Sequence, residues 1–169
     1  GVAYWSFIGM APILYMNSLG VKLKHFGYYQ GAICLSFGAV CLLMPQITHR
    51  YGLKNSFYYS LAGCLLVSIF IFFITIIDTK SPLTITTAMV LFGAFIAIPV
   101  QILFPKSLYV VPNSKARASA LVNSTRLALT AIVLEVVSYY YTGNFFLLGM
   151  TITVLMMISL LIFVYITYK

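Results

Sequence analysis

The chain has 169 residues, 62% of them hydrophobic and 7% charged, against about 45–50% and about 25% in an ordinary soluble domain. So short a chain cannot hide that much apolar surface from water, which excludes a water-soluble globular domain and makes the bilayer its solvent. Ten Lys and Arg against two Asp and Glu give a net charge of +8, but the basic residues are scattered singly between apolar runs, which argues against nucleic acid as a partner.

A hydrocarbon core about 30 Å thick needs about 20 apolar residues per helix, and six runs of that order follow one another. Val2 to Leu19 comes first, carrying Pro12, Tyr15 and Asn17 and ending at Gly20 with Lys22 and Lys24 beyond it. Phe26 to Met44 follows, with Gln30, Ser36 and a Gly27-x-x-x-Gly31 pair that continues to Gly38, a spacing that serves close helix packing. After a break from Pro45 to Lys54 comes Ser56 to Ile77, which contains no charged residue. The turn Asp78 to Pro82 leads into Leu83 to Val111, with Pro99, Gln101, Pro105 and a terminating Pro112. Beyond Arg117, Ala118 to Tyr140 holds Asn123, Ser124, Thr125, Arg126 and Glu135. Thr142-Gly143-Asn144 then separates it from Phe145 to Ile166, again without a charge. The expected fold is an all-α integral membrane protein: six antiparallel transmembrane helices forming one domain over residues 1–169. The runs are too long and too evenly apolar for the roughly ten-residue alternating strands of a membrane barrel.

Even numbers of spans put both ends on one side. Arg50, Lys54, Lys106, Lys115, Arg117 and Lys169 flank that side, whereas Lys22, Lys24 and Lys80 flank the other. The bias places both ends in the cytoplasm, and the expected location is the cytoplasmic, or inner, membrane. The chain opens at Gly1 without Met and without a basic flank, so the expectation is a fragment lacking an amino-terminal half.

Polar groups single out the inner helices, because a lipid-facing helix is free to be apolar all round and a cavity-lining one is not. The third and sixth spans read as peripheral, and the first, second, fourth and fifth as inner. Arg126 lies about 15 Å into the fifth span, near mid-membrane, where a charge costs at least ~2.5–3.5 kcal/mol on insertion scales. It either meets a substrate in a watery cavity or pairs structurally with another part of the protein. Gln101 sits ten residues from the same end of the fourth span and so at the same depth. Glu135 is nine residues beyond Arg126 and on the other side of that helix; low dielectric would raise its proton affinity and fit it to coupling or to a cationic substrate. Tyr15, Asn17, Gln30 and Asn123 are further candidates for a substrate cavity, or else interhelical glue. His25 and His49 lack metal-ligating neighbours, and Cys34, Cys41 and Cys64 have neither the spacing nor the even number of a disulfide or metal site. No metal, cofactor or enzymatic constellation is expected.

Several landmarks together carry a resemblance. Pro12, Leu19-Gly20 and Phe26-Gly27 resemble the seventh and eighth helices of drug antiporters of the major facilitator superfamily, the bicyclomycin-resistance type in particular. Arg50-Tyr51-Gly52 with Lys54 looks like the carboxy-half echo of the superfamily's cytoplasmic loop motif, and Phe104-Pro105 and Ala118-Ser119-Ala120-Leu121 resemble the tenth and eleventh helices. Pro45 and His49 stand where that loop motif has Gly and Asp, Lys106 where an Asn commonly follows the Phe-Pro, Ala116 for a usual Gly and Arg126 at a position often Gln. The loop motif's charge relay is therefore not carried over. The resemblance implies one half of a twelve-helix bundle, helices seven to twelve, whose partners are the lipid bilayer, the missing amino-terminal half, a small-molecule substrate and protons. The implied function is proton-coupled efflux of small amphipathic or drug-like compounds by alternating access. An uptake carrier for a sugar or metabolite in the same superfamily, and a non-transporting membrane scaffold, remain alternatives.

Overall fold

The computed structural model describes residues 1–109 and 114–167, and every long element among them is helical. The expected span end at Val111, the terminating Pro112 and the flanking Lys169 lie outside the described residues. The helices are α1 (Val2–Pro12, continued as a π-helical segment Ile13–Ser18), α2 (Leu23–Tyr51), α3 (Leu53–Ile76), α4 (Pro82–Tyr109), α5 (Lys115–Tyr139) and α6 (Phe145–Thr167). Five of them, α2 to α6, are long and apolar enough to cross a membrane, and α1 with its π continuation covers the first expected run. The chain is an all-α membrane protein, the one solution besides a closed barrel that satisfies every backbone group inside lipid.

The boundaries differ from the sequence expectation where proline was read as a stop. Pro45 lies inside α2, which runs on to Tyr51; Thr48 donates its hydroxyl proton to the region the proline disturbs, with the Met44 and Pro45 carbonyls 2.9 and 3.1 Å away. At 29 residues α2 is roughly 43 Å long, more than the hydrocarbon requires. The expected break from Pro45 to Lys54 shrinks to one residue. Gly52 adopts φ 77° and ψ 153° between the two helices, a conformation essentially confined to glycine. Pro12, by contrast, marks a real irregularity. Immediately after it the backbone widens into the π segment, which closes with Leu19 N–H on the Leu14 carbonyl (3.0 Å) and Val21 N–H on that of Tyr15 (2.9 Å).

α4 packs against α2 and α3, α3 also against α6, and α1 against α5 and α6. The main core gathers Phe7, Leu14 and Tyr15 of α1, Ile71 of α3, Met89 and Phe92 of α4 and Ile152 of α6. Small residues set the closest approaches: a Cβ on Gly63 would run into the Phe95 ring, and one on Gly149 into the Thr75 hydroxyl. α3 is thus well packed despite its peripheral reading from sequence, and ten of its residues are buried. Lipid tails and helix interiors are equally apolar, so hydropathy does not separate the two environments. The Gly27, Gly31 and Gly38 stripe also departs from expectation, because a Cβ at any of the three meets open space. Within the described residues nothing packs closely on that stripe. α2 buries only Ile33 and Met44, and α5 only Thr130 and Val137, so these two helices carry the most uncovered surface.

Candidate functional site

The helices read as inner line a half-open cavity of about 380 Å³. α1 brings Tyr4 and Trp5 to it, α2 brings Phe37 and Cys41, α4 brings Gln101 and Phe104, and α5 brings Asn123 and Arg126. Neither α3 nor α6 lines it. Three of the residues singled out from sequence, Gln101, Asn123 and Arg126, therefore meet in one place although they come from two helices.

The aromatic wall is fixed by a local network. Tyr4 donates its hydroxyl proton to the Ile33 carbonyl at 3.2 Å. Its ring stacks on Phe37 with centroids 5.1 Å apart and meets Trp5 edge-on at 5.9 Å. Ser36 donates to the carbonyls of Ile33 (2.8 Å) and Val90 (3.1 Å), joining α2 to α4. Gly93 sits at this junction, where a Cβ would come within 3.2 Å of the Tyr4 ring and 3.1 Å of the Ser36 hydroxyl.

Arg126 is half-buried, and its Nε is buried without a hydrogen-bond partner. It also lines a smaller cavity of about 270 Å³ with Trp5, Gly9 and Thr130, and Thr130 caps its backbone by donating to the Arg126 carbonyl at 2.8 Å. The α1–α5 contact beside it is tight, since a Cβ on Gly9 would approach Leu134 to 3.0 Å. Gln101, in turn, is shared with a third cavity of about 400 Å³ that reaches Thr48 and Lys106. A planar cation with an unpaired buried N–H, flanked by two amides and aromatic faces, is equipped to bind a polar group of a small amphipathic molecule.

The other candidates fall elsewhere. Tyr15 is fully buried, with Phe7, Phe26 and Tyr29 around its ring. Its hydroxyl lies 2.7 Å from Thr86 Oγ1. Thr86 gives its own proton to the Pro82 carbonyl (2.7 Å), so Tyr15 is the donor. Gln30 has a buried Oε1 without a hydrogen-bond partner and does not line the cavity. Asn17 is exposed on the π segment, and Glu135 is exposed on α5, away from the cavity. Arg50 closes α2 with its guanidinium 5.6 Å from the Tyr51 ring centroid, Gly52 forms the joint, and Lys54 is exposed in the first turn of α3. At the opposite end from that joint, Ser18 and Tyr141 hydroxyls lie 2.6 Å apart; burial pushes the Tyr141 phenol upward, and the Ser18 bond works against it.

Sequence reasoning missed the aromatic half of the cavity. Tyr4, Trp5, Phe37 and Phe104 sit in apolar runs where an aromatic reads equally as lipid-facing belt. No family model, no curated protein and no solved structure matches the chain.

Proposed function

We propose that the chain is one half of a secondary transporter of the major facilitator type, working by rocking of two six-helix halves about a site near the membrane midplane. The observation that carries the reading is the cavity itself: α1, α2, α4 and α5 supply its walls, and Gln101, Asn123 and Arg126 line it. Intramembrane polar groups around a cavity mark substrate pathways by default. The uncovered surfaces of α2 and α5, with the unpacked Gly27, Gly31 and Gly38 stripe, supply the face that a second half would cover.

In this reading the substrate is a small amphipathic compound, exported in exchange for protons across a cytoplasmic membrane with both ends of the chain inside. Neither Asp78 nor Glu135, the two acids of the chain, lines the cavity, so in this reading the proton is carried outside it. The full gene product in everted vesicles should extrude its substrate when a proton gradient is imposed and stop when a protonophore collapses it. Accumulation that ignores the protonophore would reject proton coupling.

A further inference from the structure

We propose that the cavity binds an amphipathic organic anion, an aromatic carboxylate or sulfonate in class, with its charged group on Arg126 and its apolar body against Tyr4 and Phe37. The proposal rests on reading this cavity as the substrate site and names what that site selects.

The sign of the charge comes first. Among the described residues Arg126 is the one charged side chain lining this cavity, with the Gly1 backbone at its edge, and no carboxylate lines it. Asp78 lies in the α3–α4 turn and Glu135 is exposed on α5. A cationic ligand would face an unscreened like charge in a low-dielectric setting, whereas an anion is attracted there. The second observation is the hydrogen-bond inventory. Arg126 Nε is buried and unbonded, a costly state for a group that only donates. A carboxylate or sulfonate accepts from Nε and a terminal nitrogen together, as a planar fork does. The amide nitrogens of Gln101 and Asn123 are further donors on the same cavity.

The body of the ligand follows from the walls. The Tyr4 hydroxyl is committed to the Ile33 carbonyl and its ring is stacked on Phe37, so the wall these two form is apolar. A volume of about 380 Å³ suits a small aromatic molecule. A lipid headgroup does not fit the position, because Arg126 lies eleven residues beyond Lys115, about 16 Å along a 25-residue helix and near its middle.

The test uses the full gene product in phosphatidylcholine nanodiscs and three probes with one apolar body: 2-naphthoate, 2-naphthylmethylammonium and 2-naphthylmethanol, each measured against empty nanodiscs. Naphthoate should bind saturably, the ammonium probe should not, and Arg126→Gln should weaken naphthoate at least about tenfold, the scale of one charge-assisted hydrogen bond. Arg126→Lys should recover part of that loss. Equal or tighter binding of the ammonium probe would overturn the proposal, as would naphthoate affinity unchanged by Arg126→Gln. Loss of naphthoate binding on adding phosphatidylglycerol would likewise overturn it, assigning Arg126 to a lipid. Should the Arg126 variants not accumulate, the three-probe comparison on the unaltered protein decides alone. Flux separates the two readings: naphthoate binding without transport keeps the anion site and rejects the transporter, and transport that prefers the ammonium probe rejects the anion site and keeps the transporter.

Discussion

Gln101 on α4 and Arg126 on α5 face the same cavity, although they belong to different helices and 24 residues of chain lie between them. Groups that share one pocket act as a unit, so their substitutions should not add. In the full gene product, Arg126→Ala should lower transport at least about tenfold, the worth of a charge-assisted bond, at near-normal protein levels. Gln101→Ala in that background should cost little more. Normal transport with poor accumulation would make Arg126 a structural anchor instead.

The Tyr15–Thr86 bond ties the π segment to the start of α4, and its direction makes a quantitative forecast. Tyr15→Phe removes the donor and should cost about 0.5–1.5 kcal/mol in denaturant unfolding in detergent. Thr86→Val strands a fully buried phenol and should cost more, about 1–3 kcal/mol. Equal, negligible effects would mean that the two hydroxyls do not meet.

Glycine positions discriminate the packing. Gly63→Ala drives a methyl into Phe95 across the α3–α4 contact and should destabilise by about 1–3 kcal/mol. Gly27→Ala, with open space around it, should be neutral or stabilising by up to about 1 kcal/mol within the isolated chain. The reverse order in thermal unfolding would contradict the helix arrangement.

Topology follows from the two ends of α3. Asn55 lies in its first turn and Lys80 just beyond its last, with about 32 Å of helix from Asn55 to Ile76, hence on opposite sides of a bilayer. In a background without Cys34, Cys41 and Cys64, an impermeant thiol reagent applied to intact cells should label Lys80→Cys and spare Asn55→Cys. The opposite pattern would invert the orientation.

The placement of the helices was legible because a roughly 20-residue apolar run has few fates in lipid. Their ends were not. Pro45 reads as a stop in water, yet α2 passes through it, since in a membrane a helix has no alternative partner for its backbone and nearby hydroxyls such as Thr48 help satisfy it. The polar half of the cavity was legible for a related reason: Arg126, Gln101 and Asn123 are expensive at that depth and stand out. Tyr4, Trp5 and Phe37 cost nothing in lipid, so the sequence does not mark which of the many aromatics turn inward. Glu135 and Gln30 show the converse, as polarity flagged both while only helix rotation decides that neither reaches the cavity.

On the proposed function, this chain forms one side of a pathway completed by a second half. Saturable flux of a naphthyl probe into proteoliposomes, measured for the full gene product and for residues 1–169 alone, tests it most directly. Flux is expected for the whole and none for the chain by itself. Robust saturable flux through residues 1–169 alone would contradict it.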